Sequence, residues 1–186
     1  MIIPGPEPSK ILETKASLDA KKIRFEINKF VMPNSMEGEF GVIRHPGAAL
    51  AVPITQDGEV IILRQYRFAC SQRILEFPAG TLEEGESPLE SIKREVQEES
   101  GYSAERWDNL GEMLPCPGYS DEKIHIFLAR DLTKLDKKPE GDADEDIEVL
   151  KISTEKLNEI IASGKESLDG KSITAWFRTC QMLNII

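Results

Sequence analysis

The sequence GTLEEGESPLESIKREVQEESGY, which runs from Gly80 to Tyr102, carries the signals on which the interpretation of the whole chain depends. Ser87 can cap the first amides of a helix, Pro88 suits its first position, and Glu90 completes a capping box three residues after the serine. Gly101 can end the helix in a left-handed conformation. The segment therefore predicts an acidic loop that leads into a helix ending just before Gly101.

The predicted helix carries apolar and acidic side chains on different faces. Its apolar residues recur at helical spacing and should pack against a core: Leu89, Ile92 and Val96. Glu95, Glu98 and Glu99 are spaced i, i+3 and i+4 and should cluster on another face. Like charges at this spacing repel by roughly 0.2–0.5 kcal/mol per pair on an isolated helix. A bound cation would reverse the sign of that interaction.

The clustered carboxylates, with Glu86 before the helix and Arg94 within it, form an oxygen-rich group suited to Mg²⁺ or Mn²⁺. Such ions bind through a few carboxylates and the phosphates of a substrate. In metal-assisted hydrolysis they offset diphosphate charge and activate water. Helix composition alone favours a simpler alternative, a solvated acidic surface. The spacing of the fixed residues favours the metal site.

The spacing is Gly80, five residues, Glu86, seven residues, and then Arg94-Glu95-Val96-Gln97-Glu98-Glu99-Ser100-Gly101-Tyr102. It resembles the Nudix box, G-x5-E-x7-R-E-U-x-E-E-x-G-U, in which U is a bulky apolar or aromatic residue. Every fixed position is present, and Tyr102 in place of the commoner aliphatic residue is a mild departure. The resemblance is specific over the box and extends more weakly over most of residues 45–186. It implies an α+β fold of the Nudix type, an α/β/α sandwich with a mixed sheet between helices.

Further segments resemble the ADP-ribose pyrophosphatases within that family: RQYR (64–67), EFPAG (76–80), PCPGYSDEKIHIFLA (115–129) and DEDIEV (144–149). A proline about fifteen residues after the box marks this group, and Pro117 stands fifteen residues after Tyr102. The resemblance implies Mg²⁺-dependent cleavage of ADP-ribose to AMP and ribose 5-phosphate. Two alternatives stay open. One is hydrolysis of another nucleoside diphosphate sugar, such as ADP-glucose or GDP-mannose, and the other is a regulator that binds nucleotides without hydrolysing them, although its box would be expected to have lost glutamates.

The resemblance also implies a role for each residue of the box. The metal ligands would be one backbone carbonyl and three carboxylates: Ala79, Glu95, Glu98 and Glu99. Glu86 would brace the loop or reach a metal through water, and Arg94 would hold the carboxylates by charge-assisted bonds. Gly80 would serve backbone geometry. Glu98 and Arg94 therefore belong to the expected catalytic residues.

Substrate contacts are expected outside the box. Arg67 and Arg64 could contact the diphosphate, and the alternative for each is an ordinary ion pair at a strand end. Glu76 and Pro117 complete the expected substrate-binding residues.

The resemblance to the pyrophosphatases implies that a glutamate on a loop after the box activates the water, and the acidic loop from Glu140 to Asp146 is the matching region. Glu145 is the first choice and Glu140 the second, because glutamate reaches further than the aspartates of the same loop. Coordination of the water by metal could also suffice. His125 falls in a predicted strand, where we expect a structural role.

The 186 residues suffice for one domain with a small N-terminal appendage. We assign residues 1–44 to N-terminal strands and residues 45–186 to the Nudix domain. The N-terminal strands are predicted in ILETKASL and KIRFEINKFVM.

A strand at ALAVPIT is predicted to lie at a sheet edge because of Pro53, and Asp57-Gly58 predicts a hairpin turn. The later helices are predicted at Thr154 to Ala162 and at about Lys171 to Leu183, the second with an apolar stripe of Ile173, Trp176, Phe177, Cys180 and Leu183.

Composition limits the partners. A net charge of −10 argues against a surface that follows nucleic-acid phosphates. No apolar run approaches the ~20 residues of a membrane helix, and the three cysteines are too widely spaced for a zinc site or a disulfide framework. We therefore expect a soluble cytoplasmic protein without membrane or nucleic-acid partners. The family resemblance implies a homodimer whose N-terminal strands help to form the adenine site, with Phe25 and Phe30 as contributors.

Overall fold

The computed structural model describes residues 9–141 and 146–185. The chain divides into two compact units. The first comprises Met1–Pro46 and Cys116–Glu122, and the second comprises Gly47–Pro115 and Lys123–Ile186.

The first unit contains an antiparallel sheet in the order β1-β2-β3, formed by β1 (Lys10–Ala20), β2 (Ile23–Val31) and β3 (Glu37–Arg44). The two predicted strands are present. The third was not predicted, because two glycines in EGEFGVIR interrupt its apolar pattern. Asn28 is buried in this sheet, where it accepts from Thr14 and donates to Glu26 at 3.0 Å.

The second unit holds two sheets. β4 (Ala48–Pro53), β7 (Ala79–Thr81), β8 (Tyr102–Met113) and β9 (Ile124–Lys134) form one in the order β7-β4-β9-β8, and its parallel β4–β9 pair makes it mixed. β5 (Glu59–Arg67), β6 (Gln72–Glu76) and β10 (Ile147–Ser153) form an antiparallel sheet in the order β10-β5-β6. The α+β class with a mixed sheet is confirmed, and the remaining strands form a separate sheet.

The prediction that β4 is an edge strand was wrong. β4 lies between β7 and β9, and it is buried along its whole length. Pro53 is tolerated because it is the last residue of β4, beyond the three residues, Ala48 to Leu50, that pair with β7.

The turn at Asp57-Gly58 is present, and Gly58 adopts a φ of +77°. The strands on either side share only the bridge between Ile54 and Val60. They do not continue as a hairpin, because β4 and β5 belong to different sheets.

The helices of the second unit are α1 (Pro88–Glu95), α2 (Thr154–Ser163) and α3 (Gly170–Leu183), and a π-helical turn (Val96–Ser100) extends α1. The predicted capping box is confirmed: Ser87 accepts from the amide of Glu90, and the Glu90 side chain accepts from the amide of Ser87. Ser153 and Asp169 cap α2 and α3.

The apolar stripe predicted on α3 was partly wrong. Trp176 and Cys180 are buried, but Ile173 and Phe177 are 40% and 57% exposed. Small polar residues share the buried face of α3 instead: Ser172 and Thr179. Ser172 is useful there, since its hydroxyl accepts from the amide of Phe77 at 2.9 Å.

β4 separates two hydrophobic cores, because alternate residues of a strand face opposite sides. Leu50 and Val52 pack in the core that includes Trp176 and Cys180 of α3. On the other side, two alanines of β4 pack with Ile92 and Val96, as the helical pattern predicted: Ala49 and Ala51. This packing fixes α1 on the sheet, and it places the acidic end of the helix beside β7.

Candidate active site

The acidic helix changes geometry where its glutamates begin. The chain is α-helical to Glu95 and π-helical from Val96 to Ser100, and Gly101 ends it with a φ of +74°. Single π-helical turns within α-helices are frequent at functional sites. Two glutamates of this turn lie in different environments: Glu99 is 2% exposed, whereas the side chain of Glu98 is 23% exposed.

Arg94 binds three of the box carboxylates at once. Its Nη1 donates to Glu95 Oε1 at 2.9 Å and to Glu98 Oε2 at 3.0 Å. Its Nε and Nη2 each donate to Glu86 at 3.2 Å. Chiefly because of the hydrogen bond to Glu86, the pKa of Arg94 is raised and that of Glu86 is lowered. Arg94 and Glu86 therefore stay ionised near neutral pH, and the guanidinium offsets the repulsion among the carboxylates.

Glu99 joins the helix to β7. Its Oε2 accepts a hydrogen bond from the amide of Ala79 at 2.9 Å. The observed contact thus involves the amide of Ala79, while the predicted metal ligand is its carbonyl.

Gly80 is required for space. A Cβ at this position would lie 2.0 Å from Oε1 of Glu95 and 2.4 Å from its Cγ. A side chain at Gly80 would displace Glu95, so the expected role of this glycine in backbone geometry has a concrete cause.

The donors around Arg94 suit a divalent cation in chemical type. Carboxylate and carbonyl oxygens are the ligands that Mg²⁺ prefers. Glu95 and Glu98 already direct oxygens at one cationic nitrogen, Nη1 of Arg94. Among the described residues, no three acidic, histidine or cysteine side chains are grouped so as to hold a metal. Of the three expected carboxylate ligands, Glu95 and Glu98 face Arg94 and Glu99 faces the Ala79 amide. Metal binding would therefore require these side chains to reorient.

Arg67 and Glu76, both predicted substrate contacts, form an ion pair with each other. Nε and Nη2 of Arg67 donate to the two carboxylate oxygens of Glu76 at 2.6 and 2.9 Å. Lys171 contacts the same carboxylate and also Asp169, the cap of α3. The pKa of Arg67 is raised, chiefly by its hydrogen bond to Glu76 and in smaller part by the charge of Glu99. Its strand β5 contacts the π-helical turn of the acidic helix.

Glu76 is only 2% exposed, and its ionisation depends on these partners. Burial by itself raises the pKa of Glu76, but the Arg67 hydrogen bonds and the charge of Lys171 outweigh it and lower the pKa to about 2. Burial raises the pKa of Asp169. The sequence did not predict Lys171 as a partner of Glu76, because no local pattern pairs it with a residue 95 positions away.

Arg64 pairs with glutamates that do not belong to the acidic helix. It donates to Glu148 at 3.1 Å and lies 3.8 Å from Glu166. Because residues an odd number apart on a strand face opposite sides, Arg64 points away from the face that carries Arg67. This geometry matches the alternative of an ordinary ion pair at a strand end.

The remaining expected residues lie in the first unit, in β9 and in the segment after β9. Pro117 and the two phenylalanines Phe25 and Phe30 belong to the first unit, where Phe30 stacks on Phe40 with ring centres 5.3 Å apart. Glu145 lies outside the described residues, and Glu140 is exposed in the segment after β9. His125 lies in β9, where its Nδ1 is 3.4 Å from Glu112 on the neighbouring strand.

Comparison with known proteins gives consistent results. The model of the NUDIX domain matches residues 44–177. The chain is 32% identical over 166 residues to an ADP-ribose pyrophosphatase of Bacillus subtilis, covering 89% of each sequence. Over the same length and coverage it is 30% identical to the methanol dehydrogenase activator of Bacillus methanolicus. It is 33% identical over 147 residues to a GDP-mannose pyrophosphatase of Escherichia coli K12, covering 71% of this chain and 76% of the relative.

A solved structure described as an ADP compounds hydrolase has the same fold. It superposes with a TM-score of 0.80 and covers 98% of this chain and 97% of its own. The sequence identity is 21%, so this likeness concerns the fold alone.

The Arg67–Glu76 pair makes a prediction about stability. We expect Glu76→Gln to lower the free energy of unfolding by about 3 kcal/mol, because it removes the buried counter-charge of Arg67 and Lys171. The matched control is Glu148→Gln, which breaks the exposed pair with Arg64 and should cost at most ~1 kcal/mol. Urea unfolding at neutral pH measures both.

The same variants test the pH dependence. The pKa of Glu76 is lowered from 4.5 to about 2 on folding, so its stabilisation is present above pH 4.5 and is lost as the pH falls through 2. The difference in the free energy of unfolding between the wild type and Glu76→Gln should therefore become smaller in acid. Equal losses in the two variants, or a gap that widens in acid, would contradict the ion pair.

Proposed function

Because the chain belongs to the Nudix hydrolase family and is a Nudix pyrophosphatase, we propose that it hydrolyses the diphosphate bond of ADP-ribose to AMP and ribose 5-phosphate. The observation that carries the proposal is the intact box. Its carboxylates Glu86, Glu95 and Glu98 converge on Arg94, next to the loop strand β7. The relatives named ADP-ribose and GDP-mannose pyrophosphatase support hydrolysis of a nucleoside diphosphate sugar.

The family generally uses a divalent metal, and we propose Mg²⁺, with Mn²⁺ as a substitute. The residues that would hold it are the Ala79 carbonyl and the carboxylates of Glu95, Glu98 and Glu99. When bound, the metal would supply positive charge to the diphosphate and lower the pKa of water. The short distance from Glu99 to the Ala79 amide, 2.9 Å, supports this set because it brings the helix and β7 together.

The chain's own side chains would do the remaining work. Arg94 would orient the carboxylates through the bonds it already makes, and Glu86 would brace the loop. Arg67 would contact the diphosphate from its place beside Glu76, where it is 41% exposed. Glu145, with Glu140 as second choice, would accept the proton of the attacking water. Arg64 and Pro117 would contribute substrate contacts, and the ion pairs of Arg64 make it the weaker candidate.

A homodimer is proposed from the first unit. All eleven residues of β1 are exposed, and so are large apolar side chains on β1 and β2: Ile11, Leu12, Leu18 and Phe25. A second copy of the chain would remove such a surface from water. In this arrangement residues 1–44 would contribute both to the subunit contact and to the adenine site.

We also propose a cytoplasmic enzyme without nucleic-acid partners. Cys70, Cys116 and Cys180 are all free thiols, as expected in a reducing compartment. The net charge of −10 would repel nucleic acid. No helix in residues 9–141 or 146–185 is long and apolar enough to cross a membrane.

The most informative experiment is a substrate panel. The protein would be incubated with Mg²⁺ and ADP-ribose, ADP-glucose or GDP-mannose, and the products would be identified by mass spectrometry. We expect ADP-ribose to be turned over fastest, to AMP and ribose 5-phosphate. Preference for another sugar would select that alternative, and binding without turnover of any member would favour a regulator.

Substitutions in the box test the metal ligands. Glu98→Gln and Glu99→Gln should each lower kcat at least ~100-fold, because each removes a charged oxygen from the metal site. Circular dichroism would verify the fold, and Glu84→Gln, an exposed glutamate of the preceding loop, is the matched control. Near-wild-type rates in either box variant would exclude that residue as a ligand.

The same assay tests the base. Glu145→Gln should lower kcat much more than it changes KM, because the base acts on water and not on substrate binding. If its rate is unchanged, Glu140→Gln becomes the deciding variant. Wild-type rates in both would leave water activation to the metal alone.

Light scattering coupled to size-exclusion chromatography tests the homodimer. We expect about twice the chain mass of 20.9 kDa. Leu18→Glu, which charges a side chain that is 69% exposed on β1, should shift the equilibrium towards monomer. A monomeric wild type would refute the dimer.

A further inference from the structure

We propose that Lys138 is a positioning residue for the metal-binding end of the acidic helix. The inference rests on the proposed function, since it takes Glu98 and Glu99 as metal ligands. Lys138 lies outside the Nudix box, 39 residues after Glu99 in sequence.

Lys138 contacts the last turn of the helix with both parts of its side chain. Its ammonium Nζ donates to the backbone carbonyl of Glu99 at 2.9 Å. Its aliphatic stem lies over Gly101, where a Cβ added to the glycine would be 3.7–3.9 Å from three carbons of the lysine. The amide of Leu135 donates to the carbonyl of Gly101 at 2.9 Å, so the backbone before Lys138 is fixed to the same place.

This position needs a donor for two physical reasons. The last carbonyls of a helix have no partner within the helix and must be satisfied from outside. The same end also carries partial negative charge, so a cation there is favourable. A π-helical turn is rare, so an external bond can help to hold Val96–Ser100 in that geometry.

Glu99 is thereby held from two sides. Its carboxylate accepts from the amide of Ala79 on β7, and its own carbonyl accepts from Lys138. Without the ammonium, the carbonyl of Glu99 would lose this donor. The backbone of Glu99 and of its neighbour Glu98 would then gain freedom, and the ligands would be less well placed for a metal. Lys138 also fixes the chain two residues before Glu140, one of the two proposed bases.

The test compares three variants of the full-length protein. Lys138→Met keeps the aliphatic stem but removes the ammonium, and Lys138→Arg restores a cationic donor. Lys137→Met, at the exposed preceding lysine, is the matched control for loss of one charge. Mn²⁺ binding without substrate would be measured from the electron paramagnetic resonance signal of free Mn²⁺, and kcat and KM would be measured separately.

We expect Lys138→Met to weaken Mn²⁺ binding about 10-fold, the lower end of the effect of residues that orient metal ligands. Its kcat should fall by a similar factor while KM for the sugar nucleotide stays within about twofold, because substrate contacts lie elsewhere. Lys138→Arg should recover most of the Mn²⁺ affinity, and Lys137→Met should bind Mn²⁺ as the wild type does. If Lys138→Met does not fold, Lys138→Gln replaces it in the same comparison.

Two failures can be told apart. If the wild type hydrolyses a sugar nucleotide and binds Mn²⁺, but folded Lys138→Met binds Mn²⁺ no less tightly than Lys137→Met, the role of Lys138 is overturned and the proposed function stands. If the wild type neither binds Mn²⁺ nor hydrolyses any sugar nucleotide, the proposed function fails and the role of Lys138 fails with it.

Discussion

The candidate site depends on one interaction, the binding of three carboxylates by the guanidinium of Arg94. Glu86, Glu95 and Glu98 would repel one another in a confined group, and the hydrogen bonds from Arg94 at 2.9–3.2 Å offset that repulsion. The same bonds connect the loop before the helix to its last turns. The proposed metal ligands Glu95 and Glu98 are therefore held together without a metal, because a cation of the chain already binds their oxygens.

The sheet gives this group a fixed support. β4 is buried on both faces, with α1 packed on one side and α3 on the other. Because β7 pairs with β4, Ala79 and Gly80 lie where the acidic helix ends. Gly80 leaves space for Glu95, and the amide of Ala79 binds Glu99. Glu95 and Glu99 are thus held in place by contacts with a strand that is paired to the core.

Charged side chains from distant parts of the chain lie around the acidic helix. Arg67, Glu76, Lys171 and Asp169 join β5 and β6 to the start of α3 through ion pairs around the buried Glu76 carboxylate. A buried charge is costly unless it is paired, and each charge of this group has a partner. Lys138 joins the segment after β9 to the carbonyl of Glu99. These contacts hold two charged side chains near the acidic helix, Arg67 and Lys138, neither of which belongs to the box.

Features that depend on neighbouring residues could be predicted from the sequence. The capping box at Ser87, the stop at Gly101, the core stripe of Ile92 and Val96, and the spacing of the glutamates all follow from local geometry. Other features became visible only in the folded chain: β4 is central despite Pro53, α3 exposes Phe177, Arg67 is paired with Glu76, and Lys171 and Lys138 contact charged or polar groups far away in sequence. Helix caps and periodicity act within a few residues, whereas strand order and ion pairing depend on contacts between segments far apart in sequence.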